Sequence, residues 1–285
     1  MTNIEIKTRS IMDSLNNSEK KVAVYFLNNI ENIFSIPIAR LADESGVSQV
    51  TWIRFCKAIG YDGLKDLKKS LFIELNNSTA DLTDTLEFSD IRKDSTLEQM
   101  CNTIKNAAIQ AVDDTIKLID PETFTKAVDI IAKANNVRIF GVGASAQVAD
   151  DLYKKLMRIN KNATFGYDMH TQLTYGANAG PKDVAIIFSY SGTTKEMLEI
   201  LSLTQKANCP TIAITKYAKS PLVANADYAI YLSAPEIDYR SGAMSSRIAQ
   251  LTIVDLLFTS LANKNYSKVE KYLEKSSEVC RSHRL

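Results

Sequence analysis

Apolar side chains recur at helical spacing throughout the first 75 residues. Two of the predicted helices, Ile38–Ser45 and Gln49–Ile59, are separated only by a turn that contains Gly46, and Ser48 is placed to cap the second helix. Helix, glycine turn and capped helix follow one another in a helix-turn-helix motif. We therefore expect an all-α domain over residues 1–75 with this motif at its centre.

From residue 95 onward the pattern changes to short apolar runs that alternate with helices. A capping box at Ser95 and Glu98 is predicted to open the first of these helices, and a long apolar helix is predicted over Ala243–Asn263. Such alternation is typical of a parallel sheet flanked by helices. We therefore expect an α/β domain over 95–285, joined to the first domain by a polar linker over 76–94. The five predicted strands are Val137–Phe140, Ala163–Phe165, Val184–Phe188, Thr211–Thr215 and Tyr228–Leu232.

The helix predicted over Gln49–Ile59 has two faces of different chemistry. Trp52 and Phe55 share an apolar stripe, so we expect them in the core of the domain rather than against DNA bases. Between residues 52 and 70 there are five basic and two acidic side chains. Such an excess is often only a solvated helix face, but beside a helix-turn-helix it favours contacts with DNA phosphates. The residues predicted to bind DNA are Ser48, Gln49, Val50, Thr51, Arg54, Lys57 and Lys68.

Four hydroxyl groups and a glycine crowd the loop that follows the predicted strand Val184–Phe188. This loop, residues 189–194, ends where another helix is predicted to start. Hydroxyl groups, backbone amides and the positive end of a helix dipole together suit an anion, most simply a phosphate ester. The alternative is that Thr193 only caps the helix in a capping box with Glu196. A cap needs one hydroxyl group and the loop offers four, so we favour the phosphate.

These motifs resemble those of known protein families. The Ser-x-Ser-Gly-x-Thr sequence of residues 189–194 is similar to the signature of the sugar isomerase (SIS) domain, a phosphosugar-binding fold of flavodoxin-like topology. Residues 137–145 resemble the first strand and Gly-x-Gly-x-Ser turn of that domain. Residues 241–251 resemble its last-helix segment in the RpiR-type family of bacterial transcription regulators. Residues 38–68 resemble the N-terminal domain of the same family, with Trp52 where a smaller β-branched residue is usual.

The resemblance implies a transcription regulator of sugar or amino-sugar metabolism that has no catalytic residue and needs no cofactor. Its implied partners are operator DNA, bound by a homodimer or a dimer of dimers, and a sugar phosphate effector. Ser189, Ser191 and Thr194 are implied to hold the phosphate with Ser145 beside them. Glu236 either reaches the sugar hydroxyl groups or lies in a solvated loop. The residues predicted to bind the ligand are Gly143, Ala144, Ser145, Ser189, Ser191, Gly192, Thr193, Thr194 and Glu236.

Composition and charge narrow the remaining possibilities. The formal net charge is only +1, so any DNA contact must come from a local basic patch. The four cysteines lack zinc-ligand spacing, and we expect reduced thiols and no metal. The chain has two histidines, of which His170 is expected to be structural or exposed rather than catalytic. No signal peptide and no apolar run of membrane length is apparent, so we expect a cytoplasmic protein without a membrane partner.

Two other hypotheses stay open at this point. The first is a phosphosugar isomerase or related enzyme with an appended DNA-binding domain, which an assay of turnover on sugar phosphates would reveal. The second is a sugar-phosphate-binding interaction module whose helical domain contacts another protein. Salt-sensitive binding to DNA would exclude that second alternative.

Overall fold

The computed structural model describes residues 2–30, 32–33, 36–77, 95–234 and 243–281. Packing divides the chain into two compact units. The first contains the helices before residue 78 together with residues 217–219, and the second contains the other elements after residue 95. Of the predicted linker 76–94, only the first two residues are described, and they belong to a helix. Within the described ranges, every helix is too short or too polar to cross a bilayer.

The first unit is helical, as predicted. Trp52, Phe26 and Phe55 are fully buried in its core. The Trp52 ring meets Tyr25 and Phe55 edge-on, with centroids 6.0 and 6.1 Å apart, and its Nε1 donates a hydrogen bond of 2.9 Å to Oγ of Ser45. The expectation that Trp52 is a core residue is confirmed. The unit consists of α1 (Asn3–Ile11), a 3₁₀ turn (Met12–Ser14), α2 (Asn17–Asn28), α3 (Ile38–Ser45), α4 (Gln49–Ala58) and α5 (Leu64–Asn77).

The second unit is the predicted parallel five-stranded sheet flanked by helices, with strand order β2-β1-β3-β4-β5. The strands are β1 (Val137–Gly141), β2 (Ala163–Thr164), β3 (Val184–Phe188), β4 (Thr211–Lys216) and β5 (Tyr228–Leu232). The helices are α6 (Leu97–Leu118), α7 (Pro121–Lys133), α8 (Ala144–Arg158), α9 (Met169–Ala177), α10 (Lys195–Lys206), α11 (Pro221–Asn225), α12 (Met244–Lys264) and α13 (Tyr266–Arg281).

Strand β3 is buried on both faces, which explains its uninterrupted apolar sequence. Ile186 and Phe188 belong to one hydrophobic core, which also holds the buried faces of α8 and α12. Ala185 and Ile187 belong to a second core, on the side of α10. The alternation of side chains along the strand therefore fills two cores, and the sheet is the middle layer of three.

The strand order places a topological switch point between β1 and β3. The chain leaves β1 toward β2 on one side, while β3 lies on the other side of β1. Gly141 ends β1 and is the Cα partner of Phe188, which ends β3. The two loops predicted to bind the ligand thus start side by side, at the position where open α/β sheets bind ligands.

Two capping boxes that the sequence allowed, one predicted at Ser95 and one considered as an alternative at Thr193, do not form. Helix α6 is capped by Thr96, whose Oγ1 accepts from the Gln99 amide at 3.2 Å while Gln99 accepts from the Thr96 amide at 2.9 Å. The predicted box one residue earlier, at Ser95, is therefore wrong, because a Thr-x-x-Gln box satisfies the amides in the neighbouring register. Helix α10 has Thr194 at its N-cap position without a side-chain capping bond, so a capping box from Thr193 does not form.

Candidate functional site

The turn between α3 and α4 is fixed by backbone geometry. Gly46 has φ of +64°, in the left-handed region that favours glycine, and ends α3. The amide of Val47 then donates back to the carbonyl of Ala42 at 3.0 Å. Ser48 caps α4, as predicted, because its Oγ accepts from the amide of Thr51 at 3.2 Å. Helix α4 therefore leaves a rigid turn in a defined direction.

Helix α4 turns an exposed face away from the core. Gln49, Val50, Arg54 and Lys57 are exposed on it, and Thr51 is half-buried. The hydroxyl groups of Ser48 and Thr51 lie 2.9 Å apart at the start of the helix. Six of the seven residues predicted to bind DNA therefore lie together on one helix and its cap. These six are Ser48, Gln49, Val50, Thr51, Arg54 and Lys57.

Lys68 lies apart from that group, on α5. It is half-buried, and its ammonium group donates to the carbonyl of Ile36, just before α3. Burial lowers the pKa of the Lys68 ammonium group. An ammonium has three donors, so Lys68 keeps donors for a phosphate while it holds the start of α3. No sequence pattern predicts this bond, since the two residues are 32 positions apart.

The loop after β3 gathers four hydroxyl groups into one turn. Oγ of Ser189, which is buried, accepts from the amide of Gly192 and donates to Oγ1 of Thr194, both at 3.2 Å. Oγ1 of Thr193 donates to Oγ of Ser191 at 3.0 Å. Ser191 and Thr194 are half-buried and Thr193 is exposed. The loop is thus held in shape from within and keeps hydroxyl groups accessible.

Gly192 is the residue on which the shape of this loop depends. Its φ is +67°, and a Cβ atom there would lie 2.2 Å from Oγ of Ser220 and 3.2 Å from Oγ1 of Thr215. Its carbonyl accepts from the amide of Leu222 at 3.2 Å. The loop therefore packs directly on Thr215, Ser220 and Leu222, with no space for a side chain at this position.

The glycine turn after β1 is packed as tightly as the loop after β3. A Cβ atom on Gly141 would lie 2.9 Å from the carbonyl oxygen of Ser145, and Gly143 has φ of +59°. The side chain of Gln172, fully buried on α9, accepts from the amide of Gly141 at 3.1 Å and donates to its carbonyl at 2.9 Å. Oγ of Ser145 accepts from Nε2 of Gln250, on α12, at 3.1 Å.

Gln172 and Gln250 were not among the predicted site residues, although both support the glycine turn. Both side chains are almost completely buried, at helix positions where apolar residues are usual. A large amide side chain at such a position was the sign in the sequence that could have revealed their role. A buried amide needs hydrogen-bond partners, and here it finds them in the glycine turn.

Two helices begin at this edge of the sheet with open N-termini. Neither α8 nor α10, both fully described, has a side-chain capping bond. Unpaired amides and the helix dipole make such ends favourable places for an anion. Glu236 lies outside the described residues, so its predicted place in the site stays a prediction. His170 is exposed in the first turn of α9, as expected.

A helix-turn-helix unit and a parallel α/β unit whose sheet edge suits an anion together define a class of ligand-responsive DNA-binding proteins. Two family models match the chain in the same order. The helix-turn-helix domain of the rpiR family matches residues 2–78, and the SIS domain matches residues 130–260. The chain belongs to the rpiR family of HTH-type transcriptional regulators.

Relatives cover almost the whole chain. An uncharacterized HTH-type transcriptional regulator of Caldanaerobacter subterraneus subsp. tengcongensis is 38% identical, over 98% of this chain and 97% of the relative. YbbH of Bacillus subtilis, also named an uncharacterized HTH-type transcriptional regulator, is 32% identical over 97% of this chain and 96% of the relative.

Solved structures agree with the fold. The Vibrio vulnificus NanR protein, in a complex with ManNAc-6P, is 26% identical with a TM-score of 0.61, and the match covers 99% of both chains. The sugar isomerase domain of an RpiR transcription factor from Sphaerobacter thermophilus is 23% identical with a TM-score of 0.58. That match covers 63% of this chain and 99% of the other, and at this identity it supports the fold alone.

Proposed function

We propose that this regulator binds operator DNA through α4 and that a sugar phosphate, bound at the edge of the sheet in the second unit, controls its activity. The observation that carries the proposal is the hydroxyl-lined loop 189–194, placed beside the glycine turn and two open helix N-termini at the switch point. The complex of NanR with ManNAc-6P supports an amino-sugar phosphate as the ligand class. Residues 1–75 form the proposed DNA-binding domain, and 95–285 form the ligand-binding domain. Such a regulator works in the cytoplasm, where the chromosome lies.

The phosphate is assigned to the two loops together. Ser189, Ser191 and Thr194 supply hydroxyl groups from one side of the switch point, and Ser145 supplies one from the other. Amide groups at Ala144 and at the start of α10 complete a cradle of hydrogen-bond donors. Gly143, Gly192 and Thr193 shape the two loops, and Glu236 keeps its proposed role at the sugar hydroxyl groups.

We propose that the sugar phosphate is bound without being converted. The hydroxyl groups of Ser145, Ser189, Ser191 and Thr194 are hydrogen-bonded to one another, to Thr193, to backbone amides or to Gln250, which are not groups that would serve as a base. His170, on α9, is exposed. The relatives are named as transcriptional regulators. Turnover of hexose or amino-sugar phosphates by the purified protein would instead favour the isomerase alternative.

The variant Ser191→Ala should bind sugar phosphate more weakly and keep its fold. Loss of one hydrogen bond to a charged group costs about 1.5–3 kcal/mol, which lowers the affinity roughly 10- to 150-fold. Calorimetric titration with a panel of sugar 6-phosphates that includes ManNAc-6P measures the change. Ser276→Ala, which removes a hydroxyl bonded to the Leu273 carbonyl on α13, is the control. Equal affinity in Ser191→Ala and wild type would contradict the assignment of the loop.

A homodimer is the proposed assembly, because helix-turn-helix proteins usually read two symmetric half-sites. Helix α6 offers a surface for the dimer. Seven of its residues, separated alternately by three and four positions, form one stripe along the helix. The second half of this stripe is buried within the second unit. In the first half, Leu97, Met100 and Ile104 are 75%, 43% and 55% exposed. The stripe consists of Leu97, Met100, Ile104, Ala107, Ala111, Asp114 and Leu118.

The double variant Leu97→Glu, Ile104→Glu is expected to shift the protein from dimer to monomer. Each buried Leu or Ile side chain contributes about 1.5–3 kcal/mol to an interface, and in a twofold-symmetric dimer each substitution is present in both subunits. Sedimentation velocity over a concentration series measures the dissociation constant. Asn102→Glu adds a charge to an exposed residue off the stripe and should leave the dimer intact. A double variant that stays dimeric would place the interface elsewhere.

Helix α6 is also bonded to the ligand edge of the sheet. Oγ1 of Thr115 donates to the carbonyl of Ser233 at 3.1 Å and accepts from its amide at 3.2 Å, and both bonds are buried. Ser233 directly follows β5, so it lies at the edge where the ligand binds. The neighbouring Asp114 is buried, which raises the pKa of its carboxyl group to about 6. We propose that a ligand at this edge shifts α6 and thereby the pairing of the two subunits.

Thr115→Val should uncouple ligand from DNA without abolishing either binding reaction. In the wild type, operator DNA is expected to change the affinity for sugar phosphate by about 1–3 kcal/mol, and linkage makes the effect reciprocal. In Thr115→Val this coupling should fall close to zero, because both hydrogen bonds between Thr115 and the backbone of Ser233 are gone. Titration of ligand with and without operator measures it.

Thr103→Val, on the same helix, is the matched control and should keep the coupling. Unchanged coupling in Thr115→Val would exclude this route. Equal ligand affinity with and without operator in the wild type would contradict the sensor function itself.

A further inference from the structure

Two large apolar side chains lie exposed on the side of α4 that is free to meet DNA. Val50 is 54% exposed and Ile53 is 39% exposed, whereas Trp52 and Phe55 on the other side are fully buried. Because Val50 and Ile53 are three residues apart, their side chains are neighbours on one helix face. They form an apolar patch in a surface that is otherwise polar or basic. The other exposed side chains of this face are Gln49, Arg54 and Lys57.

This patch does not serve the stability of the helix. Val and Ile are β-branched and have lower helix propensity than Lys, Arg or Gln, which suit a solvated face. Their apolar surface is also left in water, so the free protein gains little from it. Where a local choice opposes stability without a compensating contact in the fold, function is the usual reason.

Resting on the proposed function, we infer that Val50 and Ile53 read thymine bases through their 5-methyl groups. The methyl group of thymine is the apolar group that base pairs present in the major groove. The N-terminal residues of a recognition helix are those that contact base edges, and Val50 and Ile53 are the second and fifth residues of α4. Because Val50 and Ile53 are exposed, their apolar surface is available for contact with the methyl group of a thymine.

The side chain of Gln49 extends the same readout. A glutamine amide pairs with N6 and N7 of adenine, and Gln49 is exposed beside Val50 and one turn from Ile53. Arg54 and Lys57 follow toward the C-terminal end of the helix, where a guanine or phosphates would meet them. The half-site under the first turns of α4 is therefore composed of A·T pairs, with at least one thymine methyl against the apolar patch.

The test uses the full-length protein and DNA duplexes selected from a random-sequence pool. In the tightest duplex, each thymine is replaced in turn by deoxyuridine, which lacks only the 5-methyl group. At the contacted thymines the affinity should fall about fourfold per methyl group, as for the loss of one buried methylene. Val50→Ala or Ile53→Ala should weaken binding to the thymine duplex by a similar factor and should no longer respond to deoxyuridine at its own position.

A matched control comes from the same unit. Val24, on α2, is 51% exposed, so Val24→Ala makes the same chemical change on another helix and should keep the full response to deoxyuridine. Melting temperatures of the three variants show whether the fold is kept. The inference is overturned if deoxyuridine is tolerated at every thymine, or if Val50→Ala and Ile53→Ala keep the full response. A protein that binds no duplex more tightly than the random pool overturns the proposed function instead.

Discussion

Gly192→Ala is expected to abolish sugar-phosphate binding by the second unit. An alanine at φ of +67° costs about 1–2 kcal/mol, and its Cβ would lie 2.2 Å from Oγ of Ser220, which overpacks the site by about 1–3 kcal/mol more. The loop must move to relieve both, and the hydroxyl groups of Ser189 and Ser191 move with it. Loss of two hydrogen bonds to a charged group lowers the affinity at least 100-fold, which calorimetric titration with sugar 6-phosphates would show.

Two other glycines of the same unit and one second-site change separate the causes of this effect. Gly180 has open space around it and no positive φ, so Gly180→Ala should be neutral. Gly143, in the other of the two loops, has φ of +59° with open space, so Gly143→Ala adds backbone strain without a clash. Adding Ser220→Gly to Gly192→Ala removes the clash and should restore part of the affinity. Normal ligand binding by Gly192→Ala would exclude loop 189–194 as the phosphate site.

Trp52→Ala is expected to destabilise the helix-turn-helix unit by about 3–5 kcal/mol, the usual cost of removing a fully buried tryptophan side chain. The change leaves a cavity between Tyr25 and Phe55 and removes the donor to Ser45. Since small domains are stable by only about 5–15 kcal/mol in total, this is a large share of the stability of the unit, and DNA binding at 37 °C should weaken. Differential scanning calorimetry would show the loss as a lowered first transition.

The second unit provides the internal control for this variant. Sugar-phosphate binding by Trp52→Ala should remain, because Trp52 belongs to the core of the first unit. Trp52→Phe, which keeps an aromatic ring but lacks the donor to Ser45, should destabilise the unit less than the alanine does. A Trp52→Ala protein with unchanged stability and normal DNA binding would contradict the place of this ring in the core.

The sequence was sufficient to predict the structure wherever a local pattern determines it. Helix α3 and strand β3 have the predicted bounds. Gly46 ends α3 and Ser48 caps α4, while polar residues flank the apolar run of β3. The pairing of the two ligand loops also followed, because parallel strands end at one edge of a sheet. Local pattern does not determine the cap of α6, since Ser95 and the adjacent Thr96 offer equivalent hydroxyl groups and only the fold selects one.

Contacts between distant segments could not be predicted from one sequence. The bond of Lys68 to the backbone of Ile36, the bonds of Gln172 to Gly141 and those of Thr115 to Ser233 join positions 31 to 118 residues apart. No local pattern encodes such a pair. Each partner is a long or hydroxyl side chain that is equally compatible with solvent until packing covers it. These contacts nevertheless determine how the predicted site residues are held.

Trp52 is the only tryptophan in the chain, and it is fully buried in the core of the helix-turn-helix unit. Fluorescence excited at the red edge of protein absorption therefore comes from the helix-turn-helix unit alone, and the second unit contributes no emission under those conditions. Because the indole N–H is bonded to Ser45, the emission maximum is sensitive to small movements of α3 against α4. The protein thus carries its own optical label, and any spectral change on adding a sugar phosphate would be a signal that has travelled from one unit to the other.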